Sequence, residues 1–146
     1  MTVAADTTSM RRPGLRWGRI LLTAFALELV LFAVLLPIGF VFGMPGAGNG
    51  TDFTVFFVAV PLGCLAFGYL FGLWLGRRVS SRYVLHGVLL GVAAMLIYLA
   101  VCSIPPNSIA AAMAGYGPVR FWAFNGLRLV GCVTGTLYAQ RTVTVA

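Results

Sequence analysis

The chain has 146 residues, of which 60% are hydrophobic and only 9% charged, and its mean hydropathy is +0.98. A soluble domain carries about a quarter charged residues, so this composition excludes an ordinary soluble protein and predicts one domain that lies mostly in lipid. Ten arginines and no lysines, set against Asp6, Glu28 and Asp52, give a net charge of +7. The arginines fall at the edges of apolar runs, where they indicate membrane orientation, so nucleic acid is not expected as a partner.

Four apolar runs approach the length of about 20 residues that a transmembrane helix needs. The predicted spans cover about 20–42, 53–75, 83–102 and 121–139. Segment 1–19 precedes them and segment 140–146 follows as a short tail. A Pro-Pro pair at 105–106 ends the third span, and a short interfacial helix through Met113 is expected after it.

Basic residues in the connecting segments predict which side of the membrane each loop faces. Eight of the arginines outside the spans fall on one side and one, Arg120, falls on the other. This bias places both termini in the cytoplasm. The predicted fold is therefore an all-α integral membrane protein, a compact bundle of four transmembrane helices. A composition rich in Ala, Gly and Val, with arginine as the sole basic residue besides one histidine, favours the cytoplasmic (inner) membrane of a GC-rich bacterium.

Small residues recur four positions apart in three of the four spans. They are Gly68, Gly72 and Gly76, then Gly87 and Gly91, then Gly131 and Gly135. Helices in lipid associate through close backbone contact at such residues, so these faces are expected to pack, either within one chain or between chains. The second and fourth spans also share a Gly-x3-Gly-x3-small-x-Arg pattern at an offset of 63 residues. Two tandem helical hairpins would explain this match, as would chance recurrence of small residues.

Glu28 and Arg128 are the two charged residues well inside the predicted spans, where each costs about 2.5–3.5 kcal/mol at mid-span. Glu28 lies about 12 Å and Arg128 about 15 Å from the inner face, at 1.5 Å per helical residue. Arg128 shares a face of its helix with Asn125 and the glycines of the fourth span. These positions predict a Glu28–Arg128 ion pair with Asn125 as an additional hydrogen-bond partner, which would make the first and fourth spans neighbours.

The predicted pair has three alternative roles: fixing helix order, handling a substrate or proton, or facing a partner protein. His86, the single histidine, has no second ligand close in sequence and is expected at the membrane interface rather than in a metal site. Cys64, Cys102 and Cys132 stand alone and are expected to be small buried apolar residues. No paired carboxylates, phosphate-binding loop or haem-ligand pair occurs in the sequence, so neither catalysis nor a metal or cofactor is expected.

Two classes of function follow. The first is a structural, accessory or interaction subunit that binds another membrane protein or a second copy of itself. The second is a small proton-coupled transporter. The stretch Ala24–Glu28, with a carboxylate in the first of four spans, resembles in layout the small multidrug resistance exporters, a resemblance that implies exchange of protons for a cationic substrate at Glu28. The strong arginine bias and Arg128 depart from that layout.

Arginines 77, 78 and 82 lie close together in the short loop between the second and third spans. They predict either contact with anionic lipid headgroups or simply the orientation of the chain in the membrane. Membrane lipid is therefore an expected partner, and Arg77, Arg78 and Arg82 are the candidate contacts.

Overall fold

The structure is a computed structural model that describes residues 15–43, 53–104 and 109–144. Every regular element in these ranges is an α-helix. The helices are α1 (Trp17–Phe42), α2 (Thr54–Gly76), α3 (Tyr83–Cys102), α4 (Ile109–Tyr116) and α5 (Pro118–Thr144). The predicted short helix is α4, which extends past Met113, and the Pro-Pro pair before it lies outside the described residues. Helix α5 continues into the segment predicted as a tail.

Three of the long helices, α1, α2 and α3, are long and apolar enough to cross a membrane. The prediction of an all-helical structure is confirmed for the described residues, together with three candidate membrane-spanning helices. Helix α5, the predicted fourth span, is the longest helix but is less apolar, because it carries Asn125 and Arg128 among several threonines and glycines. Its place in the membrane therefore remains a prediction.

The long helices contact one another in a ring. Helix α5 packs against α2 and α3, and α1 packs against the same two helices. In the described part of the chain, the backbones of α1 and α5 do not approach each other. The sequence analysis was therefore wrong to make the first and fourth predicted spans neighbours. Small-residue faces determine this arrangement, because they bring α5 against α2 and α3, and α1 occupies the remaining side.

The closest helix contact joins α2 and α5 through the predicted glycine faces. A Cβ atom added at Gly68 would lie 2.8 Å from the backbone oxygen of Arg128, and one added at Gly72 would overlap the Cys132 backbone. Gly76 meets Thr136 and Ala139, so both helices run in the same direction. The stretches related by the 63-residue offset thus pack against each other within one chain.

Helix α3 uses its two predicted glycines against the other side of α5. Gly87 faces Thr136, and a Cβ atom at Gly91 would lie 2.9 Å from the Leu129 Cα. The order of these contacts shows that α3 and α5 run in opposite directions. All seven predicted packing glycines therefore lie where α5 contacts α2 or α3.

Helix α4 closes the end of the structure opposite the 77–82 loop. The ring of Tyr116 stacks on Phe56 with centroids 5.9 Å apart and meets Phe124 edge-on at 6.0 Å. Burial raises the pKa of Tyr116 to about 12, in keeping with a phenol enclosed by aromatic rings. This aromatic cluster fixes the α4–α5 connection against α2.

Large apolar side chains cover the outside of the long helices. On α1, Leu22 is 64% exposed, Phe40 69% and Val41 73%. Continuous apolar exposure of this kind would be unfavourable in water and is what lipid-facing surfaces show. The polar side chains Thr23, Glu28, Asn125, Arg128 and Thr136 point inward instead.

Candidate functional site

Glu28 and Arg128 meet in the interior of the helix ring. Arg128 Nη1 lies 3.0 Å from Glu28 Oε1, and both residues are almost completely buried, at 2% exposure for Glu28 and 5% for Arg128. Because α1 and α5 are on opposite sides of the ring, the long arginine side chain crosses the interior to reach the carboxylate. The matched depth of the two residues thus brings them together without making their helices neighbours.

Every long helix contributes a contact to this pair. Asn125 Oδ1 accepts a hydrogen bond from Arg128 Nη1 at 3.4 Å, and Asn125 Nδ2 donates to the Phe121 carbonyl at 2.9 Å. Helix α2 brings Cys64, whose Sγ lies 3.9 Å from Arg128 Nη2. Helix α3 brings Tyr98, whose ring centre lies 4.9 Å from the guanidinium carbon.

Cys64 and Tyr98 were not singled out with the pair by the sequence analysis. Cysteine and tyrosine give no charge signal, and their place beside Arg128 depends on which helices are adjacent. The stacking of Arg128 on an aromatic ring supplies cation–π stabilisation that is largest where water is excluded.

The pair is held by charge rather than by an aligned hydrogen bond. Glu28 Oε1 receives no well-directed N–H despite its 3.0 Å contact, and Arg128 Nε has no hydrogen-bond partner. Buried polar atoms without such partners are costly and uncommon in protein interiors. The site is neutral overall but retains unused hydrogen-bonding capacity on both partners.

Candidate metal ligands do not converge in the described residues, where no group of three or more His, Cys, Asp or Glu side chains comes together. Cys64 and Cys132 are buried free thiols and Cys102 is half-buried. Both buried thiols lie on the helices that form the glycine contact; Cys64 also contacts the Arg128 guanidinium, so it is not solely a small apolar residue.

A shallow apolar crevice of about 190 Å³ lies between α3 and α5, beside the pair rather than at it. Gly91, Met95, Trp122, Gly126 and Leu129 form most of its wall, and Asn125 is its polar residue. Neither Glu28 nor Arg128 lines this space. The volume is therefore separate from the two charges.

His86 lies in the first turn of α3, next to the 77–82 loop, and its side chain is buried inside the protein. The residue is 4% exposed, and its Nδ1 lies 3.0 Å from the Arg82 carbonyl oxygen. A carbonyl only accepts, so Nδ1 donates; the other ring nitrogen, Nε2, is buried without a partner. His86 precedes Leu90 and Ala94 at intervals of four residues on the buried face of α3, a spacing that could have indicated this burial.

The loop arginines occupy the end of the structure where α2 ends and α3 begins. Arg77, Arg78 and Arg82 are all exposed. The Arg78 guanidinium carbon lies 4.3 Å from the centre of the Trp74 ring. Arg82 adopts a left-handed backbone conformation with φ of 56°, which is uncommon for a residue with a side chain.

We expect Tyr98 to stabilise Arg128 specifically rather than only filling space. Tyr98→Phe retains the ring and should be tolerated, whereas Tyr98→Leu should lower the free energy of unfolding. A double-mutant cycle with Arg128→Met, measured by SDS titration in mixed micelles, should give a coupling of about 1–2 kcal/mol. Additive effects would show that the ring does not act on the guanidinium.

Comparison with known proteins adds no relative: no family model, curated protein or solved structure matches the chain.

Proposed function

We propose that this chain is a four-span protein of the bacterial cytoplasmic membrane, with both termini in the cytoplasm, and that it acts as a non-catalytic accessory or interaction subunit. The arginine distribution supports the orientation. Helix α5 supports the fourth span, because its polar side chains Asn125, Arg128 and Thr136 are buried against the other helices while Val119, Trp122, Val130 and Tyr138 remain exposed. Between 121 and 139, α5 then presents mainly apolar side chains and glycine to lipid, and the hydroxyl of the exposed Thr134 donates to the Val130 and Gly131 carbonyls.

The observation that carries the accessory role is the enclosure of the two interior charges by each other. A carboxylate that binds a cationic substrate must be reachable and must not already be neutralised. Glu28 is 2% exposed and lies 3.0 Å from a guanidinium that is itself contacted by the remaining helices. The pair is therefore better suited to specifying one helix arrangement than to exchanging ligands.

A second candidate function, proton-coupled transport at Glu28, is favoured by the unaligned contact. Oε1 of Glu28 and Nε of Arg128 both lack directed hydrogen-bond partners, so a small rearrangement could offer them to a proton or a ligand. The layout resemblance to small multidrug resistance exporters points the same way. This candidate requires a conformation in which water reaches Glu28.

Chemical labelling of Glu28 separates the two proposals. The membrane-embedded protein is treated with a carboxylate-reactive carbodiimide, and modification at position 28 is measured by peptide mass spectrometry, with SDS-denatured protein as the reactive control. We expect Glu28 to be inert in the membrane and reactive after denaturation. Labelling in the membrane that is suppressed by a cationic compound would contradict the accessory role and support transport.

Purification in mild detergent tests the subunit role directly. We expect a tagged chain to co-purify in fixed stoichiometry with a particular membrane protein. A homogeneous homodimer with no other component, combined with a reactive Glu28, would instead favour the transporter.

A further inference from the structure

The end of the structure that contains the 77–82 loop carries a concentration of exposed positive charge. Helix α1 begins there, α2 ends there, α3 begins there and α5 ends there, as the directions of the helix contacts require. Each contributes arginines, and all of those in the described ranges are exposed. We call this set the arginine rim: Arg16, Arg19, Arg77, Arg78, Arg82 and Arg141.

Specific contacts hold part of the rim in place. Arg19 Nη1 donates a hydrogen bond to the Arg78 carbonyl at 3.0 Å, which ties the start of α1 to the α2–α3 loop. The guanidinium of Arg78 stacks on Trp74. The carbonyl of Arg82 accepts from both the backbone N–H and the Nδ1 of His86, each at 3.0 Å, which anchors the loop at the left-handed residue. The fold thus fixes the Arg78 guanidinium and the backbone of the loop at Arg78 and Arg82.

The rim has no carboxylate to neutralise it among the described residues. The single acid in the described ranges is Glu28, which is buried and already paired with Arg128. The six exposed guanidinium groups therefore leave an uncompensated positive charge among the described residues, which attracts anions from outside them. Guanidinium groups bind phosphate through paired N–H donors, which makes phosphate the preferred class of anion.

The surroundings of the rim indicate that this phosphate belongs to a lipid. Trp17, Trp74 and Tyr138 lie at the same end of the helices and are 54%, 41% and 49% exposed. Exposed tryptophan and tyrosine at helix ends mark the headgroup level of a bilayer. Exposed apolar side chains such as Leu21, Leu22 and Leu70 continue from that level along the helices, where acyl chains would lie.

From these observations we infer that the arginine rim binds anionic phospholipids, with the headgroup phosphate at Arg77, Arg78 and Arg82 and with Arg19 joining the site from α1. This role is additional to the proposed accessory function and does not depend on it. The loop would then bind a ligand in addition to orienting the chain in the membrane.

Arg120 provides a matched control for the test. It is an exposed arginine whose guanidinium carbon lies 4.7 Å from the centre of the Phe57 ring, so it repeats the Arg78–Trp74 stacking at the opposite end of the helices. A general preference of any arginine for anionic lipid would affect Arg120→Gln and Arg78→Gln equally. A site at the rim would affect the second alone.

The experiment measures the association of spin-labelled phosphatidylglycerol and phosphatidylcholine with the protein in phosphatidylcholine nanodiscs. We expect wild-type protein and Arg120→Gln to prefer phosphatidylglycerol, and Arg78→Gln to lose about fivefold in relative affinity. Arg77→Gln with Arg82→Gln should likewise lose about fivefold per arginine removed. Arg77→Lys with Arg82→Lys should retain part of the preference, because lysine keeps the positive charge but lacks the paired N–H donors of a guanidinium. An unchanged preference in the double Gln variant, or an equal loss in Arg120→Gln, would overturn the inference.

Two measurements on the wild-type protein keep the test independent of variant folding. Raising ionic strength from about 0.1 M to about 1 M shortens the screening length from about 10 Å to about 3 Å, so the preference should fall strongly. At equal ionic strength inorganic phosphate should displace the lipid better than chloride, because it accepts from the same guanidinium donors, but incompletely, because it lacks the acyl chains that lie along the helices. Salt-insensitive binding, or complete displacement by inorganic phosphate at an ionic strength where chloride has no effect, would contradict a lipid headgroup site.

Discussion

Replacing Glu28 by leucine should lower the free energy of unfolding by about 3–5 kcal/mol, because it leaves the buried Arg128 guanidinium without its counter-charge. Arg128→Met should cost less. The stranded carboxyl can take up a proton and become neutral, whereas a guanidinium keeps its charge. SDS titration in mixed micelles, followed by circular dichroism, measures both effects.

The double variant Glu28→Leu with Arg128→Met distinguishes a pair from two independent charges. An apolar pair of similar volume replaces a buried ion pair at little cost, so the double variant should be more stable than Glu28→Leu alone. Arg120→Met makes the same chemical change at an exposed position of α5 and should alter stability little. If the losses of the two single variants simply add, the two side chains do not stabilise each other.

The second large effect is expected at Gly135, where α5 lies closest to α2. A Cβ atom there would overlap the Tyr69 carbonyl oxygen and lie 2.7 Å from the backbone nitrogen of Leu73. Backbone atoms cannot rotate aside as side chains do, so Gly135→Ala must separate the two helices. We expect a loss of about 1–3 kcal/mol in the free energy of unfolding, measured as above.

Gly126 is the matched control on the same helix. A Cβ atom at Gly126 meets nothing within 4 Å, so Gly126→Ala should leave the protein as stable or raise stability by up to about 1 kcal/mol through helix propensity. The comparison separates close packing from the general effect of losing a glycine. Equal results for the two substitutions would show that the α2–α5 contact is looser than the structure has it.

Sequence patterns predicted where the helices of this protein lie better than they predicted which helices contact each other. Helical length and hydropathy determined α1, α2 and α3, since each is a long apolar run with a clear break on either side. The Gly spacing also predicted which helix faces are packed. It could not predict which faces meet, because every small-residue face is complementary to every other.

The interior site shows the same division. Counting residues from the span ends brought Glu28 and Arg128 to one depth, and the structure has them 3.0 Å apart. The contact did not make α1 and α5 neighbours, because the arginine side chain is long enough to cross the interior between them. Cys64 and Tyr98 were not predicted as part of the site, because only their contacts with Arg128 distinguish them from ordinary core residues.

The crossing of the interior by Arg128 has a consequence for how the chain is assembled during synthesis. In the proposed arrangement α5 is synthesised after α1, α2 and α3, and its arginine enters lipid favourably only where Glu28 and Tyr98 already lie together on α1 and α3. Helices α1 and α3 must therefore be in place before α5 can bury its charge, so the order of synthesis matches the order in which the contacts to Arg128 can form.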